Sequence, residues 1–191
     1  MPTLAFKMQA QLHSDWCWAA VAASVSQHFN ADSSWCQCKL ASIMARITAK
    51  KEKLGAQACC SRPMNKRLAA VCNQAWYLDR ALRIVGRSAG RPTKGPLTFR
   101  RIQKEILAGR PVCVRIQWGR ATSGHFVLIS GCRESTRGGQ WLYVEDSFYG
   151  NSTWRYHEFR SNYQYAGGRW TNTYPVENEA PRGRKRKRAA A

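Results

Sequence analysis

One cysteine of eight is marked out by its neighbours. In Gln11-Leu12-His13-Ser14-Asp15-Trp16-Cys17-Trp18-Ala19-Ala20, Cys17 opens an apolar, alanine-rich stretch with helical spacing. A thiol attacks a carbonyl well only as the thiolate, and an ordinary pKa of about 8.5 leaves few of them ionised at neutral pH. A helix N-terminus and an opposing imidazolium both favour the anion. His125 is the best partner of the four histidines. It starts a strand pattern after Gly124, which permits close approach, and apolar residues follow it. His13 is too near in sequence to reach Cys17 comfortably, His28 lies on the same helix pattern, and His157 sits in a polar stretch. An imidazole working as a base needs an acceptor on its second nitrogen. Asp146, ending the strand pattern after Val144, can supply one; Glu145 faces the other way if that strand alternates. Donors for a developing oxyanion are the backbone N–H of Cys17 and the side-chain amide of Gln11. The predicted catalytic set is therefore Cys17, His125 and Asp146 with Gln11 in the oxyanion hole, and this chemistry needs no cofactor and no metal.

The elements that must hold these residues read as helices first and strands after. Trp18, Val21, Val25 and Phe29 share one helical face from Cys17 to about Asn30, with Ser14 or Asp15 as cap. Leu40, Ile43, Met44 and Ile47 predict a second helix, capped near Ser33 or Ser34. Asn73 precedes a third, with Ala75, Leu78, Leu82 and Val85 inward and Gly86 at its end. Thr98 caps a fourth, with Phe99, Ile102 and Ile106 inward and Gly109 closing it. Residues 88–96 read as a loop by their Gly and Pro content. After Pro111 come strand patterns at 112–118, 125–132 and 141–146, and two more at 154–159 and 170–174. Helices followed by an antiparallel sheet is an α+β pattern. The division expected is one domain over 1–176 and a disordered basic tail over 177–191.

Charge and cysteine content frame the setting. Of 191 residues, 31 are Lys or Arg and 11 Asp or Glu, a net +20. Arg182, Arg184, Lys185, Arg186, Lys187 and Arg188 crowd the end, and without them the rest still carries about +14. Such a body attracts nucleic acid, anionic membranes or acidic protein surfaces, and the tail reads as a nuclear-import address or a solvated charge run. The first eleven residues lack a secretory signal, so free thiols in a reducing cytosol are the default. Cys113 and Cys132 fall in strand patterns as small buried hydrophobes. Cys36, Cys38, Cys59, Cys60 and Cys72 could form disulfides or ligate zinc, although the spacing is not the usual C-x2-C pair. No apolar run reaches the roughly 18 residues of a membrane span.

These residues resemble the papain-like cysteine peptidases. Gln11 lies six before Cys17, Trp18 follows it, and Gly124-His125 and a later acidic residue complete the family order. The resemblance is closest to the bacterial AvrRpt2 type, which carries Ser-x-Trp-Cys-Trp-Ala-Ala, a Cys-Cys pair, Gly-His-Phe and a Tyr-Gly near the acidic residue. Ser14 to Ala20, Cys59-Cys60, Gly124-His125-Phe126 and Asp146-Ser147-Phe148-Tyr149-Gly150 stand in those places, over roughly residues 8–175. The chain is also similar to the bacteriocin-processing peptidase domains of transport ATPases, but Ser147 replaces the proline after the aspartate. Ser14 stands where many secreted papain relatives have a disulfide cysteine. The resemblance implies a papain-like fold, a helical lobe carrying Cys17 packed on a β lobe carrying His125 and Asp146. It implies a cysteine protease acting through an acyl-enzyme. It further implies a bacterial effector or toxin domain, secreted without a classical signal peptide, that cleaves proteins in the cytosol or nucleus of another cell. The partners expected are a protein substrate, favoured if acidic, and a cognate immunity or inhibitor protein; nucleic acid would bind only non-specifically. Deamidation or transglutamination of a glutamine is the alternative acyl transfer, and a nucleic-acid-binding protein the alternative of a different class.

Overall fold

The computed structural model describes residues 2–48, 54–55, 57–60, 64–120 and 124–178. Its elements in order are α1 (Cys17–Phe29), α2 (Gln37–Thr48), a 3-10 turn (Ala58–Cys60), α3 (Lys66–Cys72), α4 (Leu78–Ile84), β1 (Thr93–Lys94), α5 (Phe99–Leu107), β2 (Val112–Gln117), β3 (His125–Glu134), β4 (Gln140–Glu145), β5 (Ser152–Arg155), α6 (Tyr156–Ser161) and β6 (Arg169–Tyr174). The strands form one antiparallel sheet in the order β1-β6-β2-β3-β4-β5. This is the α+β architecture that the sequence pattern predicts, and it agrees with the papain-like fold that the resemblance implies.

Burial explains the two-lobe arrangement. Every residue of α1 from Cys17 to Ser26 is buried. A helix apolar all round belongs inside, and its alanines let neighbours approach closely. Around it pack α2, α3 and α4, together with one face of the sheet through Cys113, Phe126, Leu128 and Tyr174. The other face buries Val112, Val114, Ile116, Val127 and Ile129 under α5 and α6, which contribute Phe99, Ile102, Ile106 and Phe159. The N-terminal segment crosses β3 at its bulge, where Leu4 N donates to Ser130 O and Thr3 pairs with Gly131. A Cβ on Gly131 would stand 2.6 Å from the Tyr143 ring, so this crossing requires glycine.

Several local expectations are corrected. The N-cap of α1 is Trp16, and no side chain caps it; the Ser14 hydroxyl and the Asp15 amide are instead held by Asn73. Helix α2 begins at Gln37, after the caps expected at Ser33 or Ser34. The third predicted helix starts late, as α4: Asn73 ends α3, a helix the pattern does not predict, rather than starting one, and residues 73–77 run unwound to α4. The stretch 154–159 is not one strand, because β5 stops at Arg155 and α6 follows. The predicted 88–96 loop contains β1, which pairs with β6. The Thr98 cap is found as expected, its hydroxyl accepting from Arg101 N.

Two disulfides join Cys38 to Cys60 and Cys59 to Cys72, in place of the reduced thiols taken as default. Cys17, Cys36, Cys113 and Cys132 are free, and Cys113 and Cys132 are buried strand residues as expected. Among the described residues, no helix is long and apolar enough to cross a membrane. The predicted tail lies outside the described residues except for Glu177 and Asn178; Glu177 N donates to Arg87 O.

Candidate active site

Cys17, His125 and Asp146 meet where α1 abuts the edge of the β lobe. Cys17 is the first residue of α1, so its N–H is one of the first-turn donors that no intrahelical carbonyl can reach. The loop before it is fixed by indole and amide hydrogen bonds. Trp16 Nε1 donates to Cys72 O at 2.8 Å, Trp18 Nε1 to Gln74 O at 3.0 Å, and Asp15 N to Asn73 Oδ1 at 3.0 Å. The end of α3 therefore sets the position of the thiol. The Cys59–Cys72 and Cys38–Cys60 bridges tie that helix end through the 3-10 turn to α2.

His125 is the first residue of β3, opposite Ile116 of β2. A Cβ on Gly124 would lie 2.6 Å from Ile116 O and 2.8 Å from Arg115 Nε, so only glycine admits the chain here. His125 Nε2 hydrogen-bonds Asp146 Oδ1 at 2.8 Å. Nδ1 is then the nitrogen left for the Cys17 side chain, whose interaction with the ring favours the imidazolium. Burial pulls the imidazole pKa down, but the hydrogen bonds and charges of Asp146 and Cys17 outweigh it and hold the ring up at about 9. Trp118 and Tyr149 flank the ring, their centroids 6.5 and 6.1 Å from its own.

Asp146 is held as a carboxylate from every side. Oδ1 also accepts from Phe148 N at 2.7 Å and Tyr149 N at 3.0 Å, the turn made by Asp146 to Tyr149. Oδ2 accepts from Tyr163 Oη at 2.7 Å. Burial opposes the charge, but His125 and the two backbone donors prevail and lower its pKa. Glu145 faces away, as the strand alternation predicts, and accepts from Ser130 Oγ; burial raises its pKa.

Gln11 lies beside this group but with its amide turned. Nε2 donates to His13 O at 3.0 Å and Ser14 O at 2.7 Å, while Oε1 accepts from Ser147 Oγ at 3.0 Å. The residue's backbone N–H reaches Ser147 O at 2.9 Å, tying the 9–12 segment to the end of β4. Gln37 of α2 secures the same segment from below. It is buried, accepts from Leu12 N and donates to Ala10 O and Gln9 Oε1.

The rejected histidines stay away from the pair. His13 stacks on Trp16, His28 hydrogen-bonds Gly109 O, and His157 is exposed. Sequence reasoning missed Tyr163, Ser147, Gln37 and Asn73. The Asp146 to Gly150 turn is a local signal that pointed to Ser147, but Tyr163, Gln37 and Asn73 carry none; they arrive by tertiary packing. The Sγ atoms of Cys36, Cys38 and Cys60 lie within 4.8 Å of one another, a metal-like cluster in which two members are already bonded to each other.

A thiol at a buried helix start, an imidazole raised toward its charged form, and a carboxylate locked onto that imidazole can together carry out acyl transfer. The model of the Peptidase_C39 like family matches residues 3–177, and the chain belongs to that family. It is therefore a cysteine peptidase, a hydrolase. No curated protein matches the chain.

Proposed function

We propose that the protein is an endopeptidase of the papain type in which Cys17 attacks the scissile carbonyl. The observation that carries this is His125, hydrogen-bonded to Asp146 and interacting with Cys17 at the start of α1. His125 takes the Sγ proton, the sulfur adds to the carbonyl carbon, and the same proton passes to the leaving amine as the C–N bond breaks. Water, with its proton drawn by His125, then hydrolyses the thioester and returns the thiol. Asp146 holds the imidazole and stabilises its cation. The oxyanion is met by the Cys17 N–H and by Gln11, whose Nε2 swings from the His13 and Ser14 carbonyls toward the substrate while Ser147 keeps hold of Oε1.

The substrate is a protein, with acidic surfaces favoured by a net +20. The AvrRpt2-like motifs support an effector or toxin domain of a bacterium, acting inside another cell. The two disulfides fit a chain that meets an oxidising compartment on the way. An immunity protein covering Cys17 would protect the producer. The test is mapping of new protein termini in cells that express wild type or Cys17→Ala. Termini that vanish with the substitution support endoproteolysis. A target that instead gains mass without chain cleavage would establish deamidation or transglutamination and overturn it.

A further inference from the structure

Cys36 takes no part in either disulfide, yet it stands beside one of them. Its Sγ lies 3.5 Å from Cys38 Sγ, and the Sγ atoms of Cys36, Cys38 and Cys60 all fall within 4.8 Å of one another. Two elements bring them together: Cys36 directly precedes α2, Cys38 is in its first turn, and Cys60 ends the 3-10 turn. The free thiols of Cys113 and Cys132 are buried among apolar strand residues, whereas all three members of this group are half-exposed.

The triangular arrangement disfavours a simple exchange of bridges. In such an exchange the thiolate approaches from behind the S–S bond. An in-line Cys36 Sγ at 3.5 Å from Cys38 Sγ would stand roughly 5.5 Å from Cys60 Sγ, given an ordinary S–S length of about 2 Å. The cluster is tighter than that. Three sulfurs around a common centre are what a thiolate-bound metal has. With Zn–S near 2.3 Å, tetrahedral geometry sets the sulfurs about 3.8 Å apart. Cys36 and Cys38 stand near that spacing, and Cys60 needs only to part from Cys38 to match it. Three thiolates on a divalent ion leave one net negative charge, which the first-turn N–H groups of α2 favour, and no acidic residue sits in that turn.

The two bridges differ in how a reductant reaches them. Cys59 and Cys72 are 2% and 0% exposed, whereas Cys38 and Cys60 are half-exposed. A low-molecular-weight thiol such as glutathione therefore meets Cys38–Cys60 first. Two such thiols give up two electrons and two protons, form their own disulfide and leave Cys38 and Cys60 as thiols. We propose that Cys36, Cys38 and Cys60, once reduced, are the three protein ligands of a thiophilic metal ion of the zinc class, with water as the fourth. Binding releases three thiol protons, and the ion takes over the link between α2 and the 3-10 turn that the disulfide made. Cys59–Cys72 stays closed, so the end of α3 keeps its hold on the Cys17 loop. The site does not depend on the peptidase reading of Cys17.

The test uses the full chain carrying Cys17→Ala, which removes the active-site thiol as a rival ligand. Mild glutathione treatment, alkylation and peptide mass spectrometry should show Cys38 and Cys60 opened ahead of Cys59 and Cys72; the reverse order overturns the proposal. The reduced protein is then titrated without oxygen, with Zn2+ against a chromophoric chelator and with Co2+ to read thiolate-to-metal charge transfer. One equivalent of Zn2+ is expected in the reduced protein and none in the oxidised one, with a Co2+ spectrum of three thiolates and a melting temperature raised by the metal. Cys36→Ser leaves both bridges intact, and circular dichroism checks its fold. It should weaken zinc binding by the reduced protein about a hundredfold or more, since losing an outer-shell partner alone costs about tenfold to a hundredfold. No uptake by the reduced protein, equal uptake by the oxidised one, or an affinity unchanged in Cys36→Ser overturns the site. A Cys36–Cys38 or Cys36–Cys60 bridge formed in place of metal uptake overturns it too.

Discussion

Asp146→Asn keeps the shape of the acceptor on His125 and removes its charge. The amide oxygen can still take His125 Nε2, Phe148 N and Tyr149 N, and the Tyr163 hydroxyl can turn to accept from the new NH2. The ring should therefore stay in place while losing its main electrostatic support. In the wild type that support, with Cys17, lifts the imidazole from an ordinary 6.5 to about 9. At 1.36 kcal/mol per unit, the rise is worth roughly 3 kcal/mol to the charged ring. Because the folded-state value is raised, this contribution is complete below an ordinary histidine's pKa of about 6.5 and disappears as pH climbs through about 9. The alkaline limb of kcat/KM reports loss of the same proton, which the leaving amine needs. The variant's limb should fall by about one to two units, since the interaction with Cys17 remains, and its rate near pH 8 by about tenfold. The assay is hydrolysis of a quenched-fluorescent peptide from pH 5 to 10, alongside NMR titration of the His125 ring. A limb still near pH 9 in a folded Asp146→Asn protein would refute the electrostatic role given to Asp146.

Three further outcomes follow from the same contacts. Tyr163→Phe leaves a buried Asp146 oxygen without its hydroxyl donor and should cost about 1–3 kcal/mol in urea unfolding, with reduced turnover; unchanged stability would show that the hydroxyl is idle. Cys72→Ser opens a bridge closing a separation of 13 residues and should cost about 3 kcal/mol. Because Cys72 O and Asn73 position the Cys17 loop, strong reductant should lower activity even as mild reductant keeps Cys17 free, and a monotonic rise with reductant would contradict this. Gly124→Ala drives a Cβ against Ile116 O and Arg115 and should abolish cleavage together with a lowered melting temperature; a wild-type rate would disprove the close approach.

What could be read in advance followed from how local each signal is. Cys17, His125 and Asp146 sit at element ends, where glycine, alternation and helical spacing mark the boundary, and the structure joins all three. The Thr98 cap and the apolar face of α5 are equally local. Residues 73–77 misled because the apolar spacing from Ala75 to Leu82 runs on as if helical. In fact Asn73 turns its side chain to the Cys17 loop, and Trp76 packs on Trp18 at 5.2 Å. Trp154 and Tyr156 alternate like a strand, yet Tyr156 and Phe159 are spaced for the helix that forms. The disulfides could not be read, since neighbours Cys59 and Cys60 go to different partners. Tyr163 reaches Asp146 only through packing of the Trp154, Phe159 and Trp118 rings around it.

The central claim, that Cys17 is the atom that carries the acyl group, is tested most directly by acid-quenching the enzyme during turnover of an ester substrate and locating the adduct by peptide mass spectrometry. The account predicts a thioester on Cys17, absent from the partly exposed Cys36 and lost in Cys17→Ala along with turnover. An acyl group on another residue, or turnover that continues in Cys17→Ala, would contradict it.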